Sequence, residues 1–300
     1  MLDIVFMLLL LYMSNLKLIV NTNFEKDIEL IKEFFFNSET EHFKWRILRF
    51  YRGLEENISN SKEPAVVIED YFNRIYLNKK DEIKSIVEQS RKIIEEEFSE
   101  GLEILVKMMN YDVLKKETFI ASPTLLPFSP TNRPTFYFSI VSTLFNKSPN
   151  HILDIAIHEI SHFLLFDILD GLGINLRRNQ EEGNFLHLFK ESITAMLLSE
   201  NEFIQLLSNK HYQGNSEVHN LNIATSTGET FNLREYLRNN FHQCQINGRD
   251  FSFFIKNMIE TLSPKIKEFS YKKIYWNKNE QEIKKGNAEL LKTYAEPIII

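Results

Sequence analysis

Between Ser148 and Asp170 the chain carries a helix-length run with no polar stripe. Ile152, Leu153, Ile155, Ala156, Ile157, Ile160, Phe163, Leu164, Leu165, Phe166, Ile168 and Leu169 fall on every side of a 3.6-residue period. A helix that is apolar all round belongs in a core, not on a surface. Ser148 can cap its start, Pro149 suits the first helical position, where no N–H is needed, and Gly171 and Gly173 supply the stop. Whatever the chain becomes, it is built around this segment.

Into the same segment the sequence places His158, Glu159 and His162. Buried polar groups without partners cost roughly 1–3 kcal/mol each, so something must compensate them. His-Glu-x-x-His on a helix meets the needs of zinc. Residues four apart share a face, so both imidazoles can converge on one ion, while Glu159, turned about 100° around the helix, can reach a water on that ion. The plainer alternative makes both histidines core residues bonded to backbone carbonyls.

The rest of the chain frames this segment. Ile4–Tyr12 is apolar but short of the roughly 20 residues a bilayer span needs. Asp3 stands where a secretory signal would carry positive charge. A start at Met13, followed by a short strand over Leu16–Val20, reads as an ordinary N-terminus. The expected compartment is the cytoplasm, with secretion or membrane association as the alternative if Met1–Tyr12 serves as a signal.

From Phe24 to about Tyr111 apolar residues recur at helical spacing, as in Ile28, Ile31 and Phe35, then Phe43, Ile47 and Phe50, then Ile83, Ile86, Val87, Ile93 and Ile94. Pro64 marks a break or a helix start, and Glu95, Glu96 and Glu97 read as a solvated face. Residues 1–115 are thus expected to form a helical N-terminal region.

Pro123, Pro127, Pro130 and Pro134 exclude a long helix over residues 117–148, while Thr118–Ile120 and Thr135–Val141 collect β-formers. Two strands joined by a Pro-rich loop are expected there. A polar loop, Asn175–Asn184, leads to a second mostly apolar helix, Phe185–Leu198, in which Glu191 shares a stripe with Leu188, Ala195 and Leu198. A lone carboxylate on such a stripe calls for a cation or a proton. Residues 209–230 read as a loop or small hairpin carrying His211, Tyr212 and His219. Phe231 to about Leu291 reads as further helices, with Asp250 capping Phe251–Leu262 and Ser263-Pro264 opening another.

Composition narrows the chemistry. A formal net charge of −6 argues against holding nucleic acid on a basic surface. The single cysteine, Cys244, allows neither an intramolecular disulfide nor a Cys-rich zinc finger, so any zinc here must use His and carboxylate. Catalytic zinc usually takes three protein ligands and keeps a position for water. A continuation with glycine at 165 and histidine at 168 is excluded by Leu165 and Ile168. A glutamate from a following helix is the other common solution, and Glu191 fits it; His187, one turn earlier on the same face, competes with it.

With these residues in place, the chain resembles the gluzincin group of zinc metallopeptidases, the thermolysin-like enzymes, over about residues 117–208. The resemblance rests on His158-Glu159-Ile160-Ser161-His162 and on the helix bearing Glu191-Ser192-Ile193-Thr194-Ala195. It implies that His158, His162 and Glu191 bind Zn2+ and that Glu159 is the general base of zinc-dependent peptide-bond hydrolysis, with a peptide or protein as substrate. It further implies an oxyanion donor, for which His211, Tyr212 and His219 are candidates, and an edge strand over Phe136–Val141 that binds extended substrate. The chain departs from the group in two places. Residues 163–190, 28 in number, make a longer gap than in the shortest-spaced members, and Ala195 stands where some relatives carry an aspartate that orients a ligand histidine.

The expected fold class is α+β and mostly helical, with a zincin-like core over residues 116–300 in which a small sheet packs on the two buried helices, followed by C-terminal helices. A non-catalytic regulator or interaction protein that keeps a zincin fold is the alternative from another functional class. Glu159 speaks against it, since a purely structural zinc has no use for a base.

Overall fold

The computed structural model describes residues 15–37, 41–111, 116–208, 218, 221–269, 273–276, 290–293 and 298–300. The apolar run Ile4–Tyr12 and the proposed start at Met13 lie outside them, as do His211, Tyr212 and His219. The fold is α+β and mostly helical. Among the described residues no helix is long and apolar enough to cross a membrane. The chain divides into two compact units, each assembled from separate stretches: Met1–Ser99 with Val113–Ala156, and Glu100–Asp112 with Ile157–Ile300.

The first unit is a four-stranded sheet with helices. Strands β1 (Leu16–Val20), β2 (Glu117–Thr124), β3 (Thr131–Asn132) and β4 (Thr135–Ser139) lie in the order β1-β2-β4-β3. β1 and β4 both run parallel to β2, whereas β3 pairs antiparallel with β4. A parallel pair needs a long crossover, and helices provide it between β1 and β2. These are α1 (Phe24–Phe36), α2 (Glu41–Phe50), α3 (Leu54–Ser59), α4 (Pro64–Asn78) and the start of α5 (Lys80–Met108). Pro64 opens α4, and Ile28, Ile31, Phe35, Ile47, Ile83, Ile86, Val87 and Ile94 are buried as their spacing requires. On the sheet Phe119 and Ala121 of β2 and Phe136 and Phe138 of β4 are buried at alternate positions, a period of two with one face inward.

A buried carboxylate sits in this core. Asp27 is fully buried; its Oδ2 accepts the Tyr76 hydroxyl and, at 3.0 Å, the Leu125 amide, while Tyr51 donates to the Leu125 carbonyl at 2.5 Å. Burial outweighs these bonds and pushes Asp27 up to about 6.

The second unit holds the C-terminal parts of α5 and of α7 (Ile152–Gly171), with α8 (Gln180–Leu197), α9 (Asn201–Leu206), α10 (Leu233–Ile246) and α11 (Phe251–Leu262). Strands β5 (Asn222–Ala224) and β6 (Thr230–Asn232) form the hairpin anticipated near residue 230, and β9 (Ile298–Ile299) extends it in parallel. Asp250 caps α11 as expected, its Oδ1 accepting the Phe253 amide at 2.7 Å. Ser263–Phe269 turns as a 3-10 helix, bringing Phe269 edge-on to Phe185 of α8 at 4.8 Å. The expectation of helices as far as Leu291 is corrected. β7 (Lys273–Trp276) and β8 (Leu290–Thr293) pair antiparallel, with Ile274, Tyr275 and Trp276 supplying the β-branched and aromatic content that favours a ladder.

Helix α7 begins later than its sequence suggests. The Ser148 amide donates to the Ser142 carbonyl, whereas the Asn150 side chain accepts the Ile152 amide at 3.1 Å and starts the helix. Asn150 is itself held by Ser90 Oγ at 2.8 Å. A residue before proline avoids the helical region, which keeps Ser148 outside. The stop is as expected. Gly173 has φ +70°, its amide donates to the Asp170 carbonyl, and the Ile174 amide reaches back to Leu169, the paired bonds of a Schellman motif. From Ile152 to Leu169 no residue is exposed. Gly101 lets α5 approach closely beside the histidines: a Cβ there would lie 2.8 Å from Ile157 Cδ1 and 3.2 Å from Leu206 Cδ2.

Asp27 makes the stability of the protein depend on pH. Its folded value lies above the ordinary 3.8, so its contribution is complete below 3.8 and is lost as pH rises through about 6. Between pH 4 and pH 8 the wild type should lose about 3 kcal/mol more unfolding free energy than Asp27→Asn. Urea midpoints of the two proteins across that range measure the difference.

Candidate metal centre

The site is assembled from α7 and α8 within the second unit. α8 starts five residues earlier than expected. Asn179 caps it by accepting the Glu182 amide at 2.9 Å, and Glu182 Oε2 accepts the Arg178 amide at 2.9 Å. This capping absorbs Gln180, Glu181 and Glu182 into the first turn, so half of the expected polar loop is helix. Every residue from Leu188 to Leu198 is buried except Lys190. Glu191 therefore points into protein, and only groups on neighbouring elements can compensate it.

His158, Glu159 and His162 each offer a ligand atom, and these atoms lie within 4.8 Å of one another. The two imidazoles stand edge to face with centroids 4.5 Å apart. Glu191 of α8 faces both: Oε2 is 3.5 Å from His158 Nε2 and Oε1 is 3.3 Å from His162 Nε2. Glu159 Oε1 is 3.9 Å from His158 Nε2. The competing ligand His187 is less well placed, with Nδ1 4.0 Å from Glu191 Oε1 and a side chain 43% exposed. Lys190 is the nearest cation, its Nζ donating to Glu191 Oε1 at 2.7 Å.

Ionisation suits a cation. Burial lowers His158 and His162 to about 4; the neighbouring imidazole adds to this at His158 and Lys190 adds to it at His162. Both rings are neutral near pH 7. At Glu191 burial works against the charge, but the Lys190 ammonium 2.7 Å away works for it and draws the carboxyl below its ordinary range. Metal binding needs neutral imidazole and ionised carboxylate, and the direction of each shift favours those states.

The residues fit a divalent ion on a further observation. Among the described residues the buried side-chain polar atoms without a hydrogen bond are Asp27 Oδ1, His162 Nε2 and Ser192 Oγ. His162 Nε2 is close to Glu191 Oε1 but not aligned for a hydrogen bond, so the nitrogen that should reach a metal is the one lacking a partner. The other ring nitrogen is held. His162 Nδ1 lies 3.1 Å from Thr194 Oγ1, which lies 2.6 Å from Ser161 Oγ. Thr194, rather than Ala195, is thus the α8 residue that contacts this ring nitrogen. Sequence reasoning missed it because a threonine on an apolar stripe gives no signal until the facing residue is known.

One further expectation meets the structure. β4 forms where substrate binding was expected, but the outward amides of Tyr137 and Ser139 donate to the Pro130 carbonyl at 2.8 Å and to Ser129 Oγ at 3.3 Å. Those amides are not open to an added peptide strand. A cavity of about 430 Å³ lies at the C-terminal end of α7, lined by Phe166, Leu169, Asp170, Leu176, Arg177 and Leu186 among others, and includes none of the residues of the cluster. The chain matches no known family model, no curated protein and no solved structure.

Removing the Glu191 charge should leave the Lys190 ammonium, only 20% exposed, without its partner. In chelator at pH 7, Glu191→Gln is expected to lower unfolding free energy by about 1–3 kcal/mol. Because the folded Glu191 value is depressed, the gap between the two proteins should be full above the ordinary 4.5 and close as pH falls below it. Thermal unfolding at pH 7 and at pH 3.5 measures it.

Proposed function

We propose that the chain is a zinc-dependent peptide hydrolase of gluzincin type, with a zincin-like core formed around α7 and α8. The observation that carries this reading is the convergence of two neutral imidazoles and one ionised carboxylate on a buried nitrogen without a hydrogen bond. His158, His162 and Glu191 hold the ion. When bound, zinc supplies Lewis acidity, polarising the scissile carbonyl and lowering the pKa of water toward about 7.

Glu159 carries the proton. It follows His158 directly and turns its carboxylate to the same cluster, where it takes a proton from the attacking water and returns it to the leaving amine. Lys190 holds Glu191 ionised and limits the net negative charge of the cluster. Burial of α7 keeps bulk water away, which strengthens each of these charge interactions.

A non-catalytic protein with the same fold would keep the ligands and have no need of Glu159. Zinc content after exhaustive dialysis against chelator-free buffer separates the readings, measured together with cleavage of an unfolded protein. The expected result is one zinc per chain, lost or much weakened in Glu191→Ala. Glu159→Gln should retain zinc and lose cleavage by about 10²–10⁴-fold. Zinc absent from the wild type after expression with added metal would sink the hydrolase, and cleavage unchanged in Glu159→Gln would remove its base.

A further inference from the structure

A hydrogen bond between two hydroxyls can run either way, and so can one between a hydroxyl and an imidazole. Around His162 one end of such a chain is fixed. Ser161 Oγ lies 2.7 Å from the backbone carbonyl of His158, and a carbonyl can only accept, so the Ser161 proton is committed there. Ser161 Oγ is also 2.6 Å from Thr194 Oγ1. With its own proton spent, Ser161 must accept, and Thr194 must donate. Thr194 Oγ1 is in turn 3.1 Å from His162 Nδ1, and with its proton committed to Ser161 it can only accept from the ring. His162 Nδ1 therefore carries the hydrogen.

We infer that the Thr194–Ser161 hydroxyl relay, anchored on the His158 carbonyl, sets the tautomer of His162 and presents the bare Nε2 lone pair to Glu191 and the metal. Thr194 and Ser161 are positioning residues, acting on the metal through His162. The inference deepens the zinc reading and names what replaces the carboxylate missing at Ala195. It also accounts for the unpaired nitrogen. A bare Nε2 facing Glu191 Oε1 at 3.3 Å sets two acceptors against each other, an arrangement that a cation between them relieves. The relay closes on the helix that carries both histidines, because its last acceptor belongs to His158. Orientation of one imidazole is thereby tied to the backbone at the other.

The geometry sets different requirements at the two positions. At 194 any residue that accepts from Nδ1 and passes a proton to Ser161 suffices, so serine should replace threonine. Valine keeps the threonine shape and removes the relay. At 161 the side chain touches neither ring, yet its loss frees the Thr194 proton to turn toward Nδ1, so the ring can place its hydrogen on Nε2.

The test uses full-length protein with 15N-labelled imidazoles, metal-free in chelator at pH 8, with long-range 1H–15N NMR reading which nitrogen of His162 bears hydrogen. Wild type and Thr194→Ser should show Nδ1 protonated and Nε2 bare, whereas Thr194→Val and Ser161→Ala should shift hydrogen to Nε2. Zinc affinity, by competition with a chromophoric chelator, should fall about 10–100-fold in Thr194→Val and stay within about threefold in Thr194→Ser. Hydrogen on Nε2 of the wild type, as the other tautomer or as imidazolium, overturns the inference, as does a wild-type NMR pattern in Thr194→Val. If Thr194→Val fails to fold, Ser161→Ala decides the tautomer alone. A wild type with the expected tautomer but no affinity for zinc leaves the relay standing and overturns the hydrolase reading instead.

Discussion

Burial of α7 is the constraint on which the rest depends. No residue from Ile152 to Leu169 is exposed, so His158, Glu159, Ser161 and His162 must find compensation inside the protein. Nearly all of it comes from one helix. Glu191, Lys190 and Thr194 of α8 span little more than one turn, and that turn faces the cluster because capping at Asn179 and Glu182 sets where α8 begins. Gly101 removes a side chain where α5 would collide with Ile157, beside the first histidine. Two elements, α8 and α5, are thus fitted around a short stretch of α7.

Two of the buried carboxylates show what decides the charge of such groups. Asp27 and Glu191 are both withdrawn from water, and burial raises both. Asp27 has two neutral donors on one oxygen and no cation, and it ends near 6. Glu191 has an ammonium at 2.7 Å and two imidazoles facing it, and it ends below its ordinary range. Hydrogen bonds from neutral groups soften desolvation, but a formal charge close by reverses it. The first arrangement suits a structural core. The second favours an ionised carboxylate in a buried place.

What could be read from the sequence divides along the range of the interactions involved. Local signals held. The all-apolar run, the His158–His162 spacing, the Gly173 stop, the Asp250 cap and the strand Leu16–Val20 each depend on residues a few positions apart. Starts set by distant partners did not. Asn150 starts α7 in place of Ser148 while its side chain is held by Ser90, 60 positions away. Thr194 gained meaning only through a ring 32 positions earlier. The β7–β8 pair was read as helix because its two strands recognise each other only in register. Glu191 stands out at a distance, because a charge on an apolar stripe demands an explanation that a hydroxyl does not, and the structure sets it against both imidazoles.

That difference bears on the chemistry of the centre. A carboxylate behind a ligand imidazole fixes the ring and also adds negative charge, raising the basicity of the nitrogen that faces the metal. A hydroxyl fixes the ring and adds no charge. An aspartate behind His162 would have added a further carboxylate beside Glu159 and Glu191 in this buried cluster. A further buried charge there would carry a desolvation cost, and Lys190 is already engaged by Glu191. A neutral relay that ends on a backbone carbonyl orients the ring without that cost. Its acceptor is supplied by the fold of α7 itself, so the site keeps its geometry for as long as the buried helix does.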